Sequence, residues 1–172
     1  MMFGRALASD MAGIYREDMT PLLENEWVFM LEDMLWSAHV ASVKQRRLVR
    51  GTTIVDASGL SLSILRYLPS YKPWLVVMNE FYPDLVRAVL VINAPSIFVE
   101  IWRFLSVLLA PVTREKVRIF GSDFEASLRE YGVDPETLPA YLGGQYQGSR
   151  LSALLAIPHG TGRGVNLTFG GQ

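Results

Sequence analysis

The side chains that most often carry out catalysis are few in this sequence, and they form no familiar catalytic pattern. The 172-residue chain has no cysteine, which excludes disulfides, thiolate metal sites and cysteine nucleophiles. Its two histidines have no evident serine and acid partners, and no G-x-S-x-G motif is present, which argues against a small α/β hydrolase. His39 falls within a predicted helix, and His159 lies in a glycine-rich tail without a metal-spaced partner. We therefore expect neither an enzyme nor a metal site.

Basic side chains cluster where the first long predicted helix ends, at Lys44, Arg46, Arg47 and Arg50. They could complement the negative end of the helix dipole, or they could meet an anionic membrane surface. Both alternatives stay open. The net charge of the whole chain is −1, so there is no nucleic-acid signature.

The composition indicates one domain with a large core. Half of the residues are hydrophobic and 19% are charged, which is apolar for a chain of this length. A membrane span needs about 18 or more nearly uncharged apolar residues, and every candidate is interrupted, by Arg87, Glu100, Arg103 or Arg114. The first residues, MMFGRALASDMAG, lack the continuous apolar segment of a signal peptide and instead suggest entry into a strand.

The elements that must position any functional residue alternate between strands and helices. A long helix begins at Thr20, which could cap it, and one face repeats at helical spacing, with Leu23, Trp27, Met30, Met34, Ala38 and Ala41. GTTIVDA, VRAVLVINA and KVRIF are predicted strands, and Asp56 and Asn93 are interpreted as turn and cap residues after the first two. The β-α-β-α-β-α order predicts an α/β fold with a mostly parallel sheet and flanking helices.

The intervening helices carry further signals. One covers residues 61–80, with Pro69 and Pro73 expected to break or kink it. Another, SIFVEIWRFLSVLL over residues 96–109, confines its polar residues to one narrow stripe. A later helix is capped by Ser122 or Asp123, and DPETLPAYLGG closes with a final helical turn.

Four segments together resemble a known family. TTIVDASGLSLS, YPDLVRAVLVINAPSIF, LLAPVTREKVRIFG and DPETLPAYLGG stand in the order and near the spacing of a CRAL-TRIO domain. This is the lipid-binding domain of phosphatidylinositol/phosphatidylcholine transfer proteins and of retinal- and tocopherol-binding proteins. The resemblance covers residues 1–144 and leaves residues 145–172 as a C-terminal extension, in which RLSALLAIP could add a strand or helix.

The resemblance implies a hydrophobic lipid pocket closed by a gate helix, which opens at a membrane so that one lipid can exchange. The gate would be SIFVEIWRFLSVLL, and the expected tail contacts on it are Phe98, Ile101, Trp102, Leu105 and Leu108. Packing of the same side chains in an ordinary core is the alternative. A bound lipid is the expected ligand, and no other cofactor is implied.

Head-group residues are implied where positions match the phosphatidylinositol-binding members. Lys116 and Thr113 would contact the head group, and Asp84 would pair with the lysine. An ammonium and a hydroxyl suit a singly charged phosphodiester, although each residue could instead form a surface contact that contributes little. The two hydroxyl positions of phosphatidylcholine-binding members fall on Thr53 and Gly51, so choline-lipid exchange is in doubt. Asp84 replaces the usual glutamate and is one methylene shorter.

These expectations combine into a leading hypothesis, a non-enzymatic domain that transfers phosphatidylinositol in the cytoplasm while associating peripherally and transiently with membranes. The alternative is a regulatory module that binds proteins or targets membranes, with lipid structural or absent; its protein partners are unknown. The family's N-terminal helical lobe is expected to be absent. The chain would then be either a truncated fragment or a reduced form whose pocket retains lipid poorly.

Overall fold

The computed structural model describes residues 2–5 and 11–146. Its strands are β1 (Met2–Arg5), β2 (Gly51–Asp56), β3 (Val86–Ile92) and β4 (Val117–Ile119). Its α-helices are α1 (Met11–Arg16), α2 (Thr20–Gln45), α3 (Leu68–Phe81), α4 (Phe98–Ser106), α5 (Pro111–Arg114) and α6 (Glu125–Glu130). Three 3-10 turns cover Leu62–Tyr67, Pro135–Thr137 and Ala140–Leu142. Among these helices, none combines the length and apolar character that crossing a bilayer requires.

The described strands form one parallel sheet, which confirms the predicted fold class. Its order is β1-β2-β3-β4, so each strand pairs with the strand that follows it in the chain. Ile54 pairs with Leu90 across the centre of the sheet, and Leu90 pairs with Arg118 of β4. The helical segments between successive strands therefore all belong to crossover connections.

The two faces of the sheet have different partners because alternate residues of a strand point to opposite sides. Ile54, Leu90 and Ile92 pack in one cluster with Phe124, Leu128 and Leu138, so the segment that follows β4 covers this face. Val55, Val89 and Val91 point the other way and pack in the cluster that contains Ile64, Phe98 and Ile101. The candidate site lies on this second face.

Helix starts differ from the sequence predictions. Thr20 is the first residue of α2 and not its cap; the capping position is Met19, which has no side-chain hydrogen bond to the helix. Phe124 likewise occupies the capping position of α6, where Ser122 or Asp123 was expected. On α2, Leu23 and Met34 are buried as predicted, but Leu31 is buried too. A helix that is apolar around most of its circumference gives little periodic contrast from which to find Leu31.

Other boundaries follow local backbone chemistry. The expected break in residues 61–80 falls at the change from the 3-10 turn to α3, and Pro69 lies in the first turn of α3, where a missing N–H breaks no helical bond. α3 continues through Pro73 without ending. α4 ends at Ser106, before the expected residue 109. The strand expected at the start of the chain is β1, whereas the sequence did not reveal α1. RLSALLAIP lies outside the described residues.

Candidate functional site

An apolar cavity lies between the second face of the sheet and helices α2, α3 and α4. Its volume is about 290 Å³, and it is partly open to the surface. Thr53, Val55, Val89 and Val91 form its floor. The helices supply the walls, and nearly every side chain there is aliphatic or aromatic. Such a cavity favours hydrocarbon over water or ions.

The expected gate helix forms one wall of this cavity. Phe98, Ile101, Trp102 and Leu105 line it, as does Leu109, whereas Leu108 is not among the lining residues. The rings of Phe98 and Trp102 stack with centroids 6.4 Å apart. Four of the five expected tail contacts therefore lie at one surface, although their role toward a lipid stays a prediction.

The outside of α4 and the segment after it are also apolar. Val99, Phe104 and Val107 are 67%, 51% and 72% exposed, and they point away from the cavity wall. Glu100 and Arg103 share this outer side, where Arg103 Nη1 lies 3.0 Å from a Glu100 carboxylate oxygen. α4 thus presents apolar surface both to the cavity and to solvent.

A cluster of charged side chains lies where β2, β3 and β4 begin. Lys116 Nζ is 3.9 Å from Asp84 Oδ1, and Arg50 Nη2 is 3.6 Å from the same oxygen. Lys116 Nζ also donates a hydrogen bond to the Pro83 carbonyl oxygen at 3.2 Å. Two cations therefore share one carboxylate, which leaves a net positive charge. The sequence placed Arg50 in the basic cluster after α2 but did not indicate its pairing with Asp84, because the fold and not the chain order brings the two together.

Thr113 connects this charged cluster to the cavity. Its side chain lines the cavity, and its hydroxyl donates to Asn79 Oδ1 at 3.1 Å. Its carbonyl oxygen accepts a hydrogen bond from the Lys116 backbone N–H at 3.1 Å. The expected trio of Asp84, Thr113 and Lys116 is thus a contiguous group, but only Thr113 of the three faces the cavity. Asn79 was not anticipated from the sequence.

Tyr82 holds the loop that carries Pro83 and Asp84. Its hydroxyl donates a hydrogen bond to a Glu32 carboxylate oxygen of α2. This hydrogen bond, followed by partial burial and the nearby negative charge, raises the pKa of Tyr82 above its ordinary value. The loop between α3 and β3 is therefore fastened to α2 on one side and to Lys116 on the other.

The floor near the charged cluster has little room for a second hydroxyl. Gly51 is buried at the start of β2, two residues before the cavity-lining Thr53. A Cβ atom at Gly51 would lie 2.6 Å from Met34 Sδ. The Met34 thioether therefore fills the space that a side chain at position 51 would need.

Asp56 and Asn93 lie at the carboxyl ends of β2 and β3, away from the charged cluster, and their side chains bond to each other. Asp56 Oδ1 accepts hydrogen bonds of 3.0 Å from the Ser58 backbone N–H and from Asn93 Nδ2. The bond from Ser58 is the contact of a turn residue, as expected for Asp56, whereas the bond from Asn93 joins the ends of β2 and β3.

Comparison with known proteins assigns a family to the part of the chain that carries this cavity and charged cluster. The model of the CRAL/TRIO domain matches residues 21–144. The chain belongs to this family. The match includes α2 through the last 3-10 turn and therefore every side chain of the candidate site.

Curated relatives of this CRAL/TRIO domain are similar over about half of the chain. A phosphatidylinositol/phosphatidylcholine transfer protein of Arabidopsis thaliana, SFH9, is 29% identical over 102 residues, which are 58% of this chain and 17% of the relative. The Sec14 cytosolic factor of Schizosaccharomyces pombe is 30% identical over 96 residues, or 55% of this chain and 33% of the relative. The chain thus spans a third or less of these relatives. A crystal structure of Sfh5 aligns with 48% of this chain and 28% of its own, at 21% identity and a TM-score of 0.42.

Proposed function

We propose that this domain binds one phospholipid, phosphatidylinositol, and exchanges it at membranes when α4 moves away from the sheet. The observation that carries this proposal is the apolar cavity with a net-positive cluster beside it. The acyl chains would enter the cavity and the phosphodiester would meet the cluster. No covalent step is required.

The size of the cavity supports a movement of α4. A volume of about 290 Å³ is just below the range of small-molecule sites, about 300 to 1,000 Å³, and a phospholipid with two acyl chains needs more. Of the cavity walls, α4 can move most simply, because it is a short helix flanked by turns. Its exposed residues Val99, Phe104 and Val107 could then rest in the membrane interface.

The charged cluster suits a phosphodiester. Asp84 can neutralise one of its two cationic neighbours, which leaves one positive charge for the single negative charge of the ligand. Lys116 supplies N–H donors, and Thr113 supplies a hydroxyl donor at the cavity edge. Charge-assisted hydrogen bonds of this kind are the stronger ones in proteins.

A polar group inside the cavity, the indole N–H of Trp74, supports a glycerolipid as the ligand. The indole N–H of Trp74, a cavity-lining residue, is buried and has no hydrogen-bond partner among the described residues. Buried donors usually have a partner. An ester carbonyl oxygen of the lipid would provide an acceptor when the cavity fills.

The proposed preference for phosphatidylinositol over phosphatidylcholine rests on Gly51 and Met34. The hydroxyl pair that the family uses for choline lipids is reduced here to Thr53, and Met34 occupies the remaining space. The name of SFH9 includes both lipids, so the proposed restriction to phosphatidylinositol distinguishes this chain from that relative.

Co-purification tests the proposal. The protein, purified without detergent, should yield about one phosphatidylinositol per chain by solvent extraction and mass spectrometry, and it should move labelled phosphatidylinositol between vesicles. A folded protein that carries no lipid and transfers none would favour the regulatory alternative. Co-purification of phosphatidylcholine in place of phosphatidylinositol would refute the proposed selectivity, but not the proposal that the domain binds a phospholipid.

A further inference from the structure

The cavity-facing side of α3 ends in a polar residue, Asn79. Tyr71, Leu75 and Met78 line the cavity at intervals of four and three residues, which is the spacing of one helix face. Asn79 follows Leu75 by four residues, so it lies one turn further along that face, in the last turn of α3. Its side chain is half-buried and reaches Thr113. The apolar face of α3 therefore gives way to an amide where the cavity meets the head-group side.

The hydrogen bond between Asn79 and Thr113 has a direction. The Thr113 hydroxyl donates to Asn79 Oδ1 at 3.1 Å. A hydroxyl has a single proton, so in this arrangement Thr113 offers a ligand only the lone pairs of its Oγ. The free oxygens of a phosphodiester are acceptors too, so they need a donor. The bond as it stands therefore withholds from a phosphodiester the donor that it requires.

An asparagine can reverse this bond without breaking the contact. Its amide carries an acceptor, Oδ1, and a donor, Nδ2, on the same carbon. A half-turn of the amide exchanges the two atoms, and Nδ2 then donates to Thr113 Oγ. The Asn79 side chain makes no other hydrogen bond within the described part of the chain. The half-turn thus costs no other bond there, and it releases the Thr113 proton.

We propose that Asn79 is a positioning residue of the head-group site, whose amide turns when the phosphodiester arrives and so directs the Thr113 hydroxyl to it. This inference rests on the proposed function, because it places a phosphodiester at Thr113. Asn79 acts through Thr113 and does not itself touch the lipid. The bond inside the protein is kept with its direction reversed, so the bond to the ligand is gained without the loss of another.

A purely structural role for Asn79 makes a different prediction. Its bond to Thr113 also ties α3 to the four-residue helix α5. If the bond served only as a tie, its loss would weaken the binding of every ligand of the cavity alike. If Asn79 positions the Thr113 hydroxyl, the loss concerns only ligands with a phosphodiester.

Titration of the full chain with two lipids separates these roles. Phosphatidylinositol and a diacylglycerol with the same acyl chains differ in the phosphodiester and its inositol. Asn79→Leu, which keeps the approximate shape but no hydrogen bond, should weaken phosphatidylinositol binding about fivefold and change diacylglycerol binding less than about twofold. Equal losses for both lipids would assign Asn79 to the tie and overturn the proposal.

The wild-type protein separates failure of this inference from failure of the proposed function. A wild-type chain that binds neither lipid would refute the proposed function, and this inference with it. Phosphatidylinositol binding by the wild type that Asn79→Leu leaves unchanged would overturn the inference alone. Circular dichroism establishes that the variants are folded, and Asn79→Ala repeats the comparison with a smaller side chain.

Asn79→Asp tests the reversal of the bond. A carboxylate only accepts hydrogen bonds, so it should hold the Thr113 proton, and phosphatidylinositol should bind about fivefold more weakly than it does to Asn79→Leu. When Thr113→Val is added to both variants, the gap between them should close to within about twofold, because no hydroxyl remains to be held. A gap of the same size in both backgrounds would show that the carboxylate repels the phosphodiester directly, and it would overturn the proposed half-turn.

Discussion

Lys116 Nζ lies 3.9 Å from Asp84 Oδ1, and the two side chains differ in exposure, 18% against 75%. The lysine is thus largely covered, while its partner carboxylate remains in water. Because the Pro83 carbonyl and Asp84 both belong to one loop, that loop fixes the position of the ammonium group. A fixed cation binds an anion with less loss of side-chain freedom than a mobile surface lysine does.

Lys116→Ala should reduce phosphatidylinositol transfer. A hydrogen bond to a charged group contributes about 1.5 to 3 kcal/mol, which corresponds to roughly 10- to 150-fold in affinity. Transfer between vesicles and retention of lipid during gel filtration both measure the loss. The matched control is Arg118→Ala, because Arg118 is a cation two residues further along the chain, on β4, and bonds to the carbonyl oxygens of Glu115 and Val117. Transfer at the wild-type rate in the Lys116 variant would remove this residue from the head-group site.

Leu105→Asp and Phe104→Asp should separate the two sides of α4. Leu105 lines the cavity, and a carboxylate there would be desolvated by lipid chains, so we expect lipid retention to fall by more than about tenfold. Phe104 is 51% exposed on the outer side, so its variant should keep its lipid in solution but exchange it slowly with vesicles. Identical behaviour of the two variants would indicate that α4 is an ordinary core helix.

The sequence predicted the sheet because strands depend on local patterns, whereas the family resemblance pointed to the side of α4 that lines the cavity. β-branched and apolar runs identify strands, and helical spacing identifies which residues share a face. The match to family motifs pointed to Asp84, Thr113 and Lys116. Arg50, Asn79 and Glu32 could not be found in this way, because their contacts join segments that are distant in the chain. The cap of α2 was missed because Met19 has no side-chain oxygen to signal it.

Gly51→Ser tests the proposed exclusion of choline lipids. The new Cβ would meet Met34 Sδ at 2.6 Å; the thioether is flexible, so we expect the protein to fold with a loss of about 1 to 3 kcal/mol in unfolding free energy. Alone, the serine should not give phosphatidylcholine transfer. Together with Met34→Ala, which frees the space, it should do so. Phosphatidylcholine transfer by the wild-type chain at the phosphatidylinositol rate would contradict this prediction.

Trp74→Phe should distinguish the lipid-filled protein from the empty one. In the empty protein the lost N–H has no partner among the described residues, so the unfolding free energy should not fall through a lost hydrogen bond. The lipid-bound protein should lose the proposed bond to an ester carbonyl, a weakening of about fivefold for about 1 kcal/mol. An ether-linked analogue lacks the carbonyl. Its affinity should therefore be the same for the wild-type protein and for the variant. A difference that persists with the ether lipid would assign the effect to packing.

Tyr82→Phe should destabilise the fold in a pH-dependent way. The hydrogen bond to Glu32 needs the protonated tyrosine and raises its pKa above about 10, the usual value. Its contribution is therefore fully present below that usual pKa and is lost as the pH rises through the raised pKa of the folded state. Urea unfolding at pH 8 should show a less stable variant, and the gap from wild type should close at higher pH. Because the same bond fastens the loop that carries Asp84, phosphatidylinositol transfer should fall at pH 8 as well. A gap that stays constant across this range would show that Tyr82 acts through packing of its ring rather than through its hydroxyl.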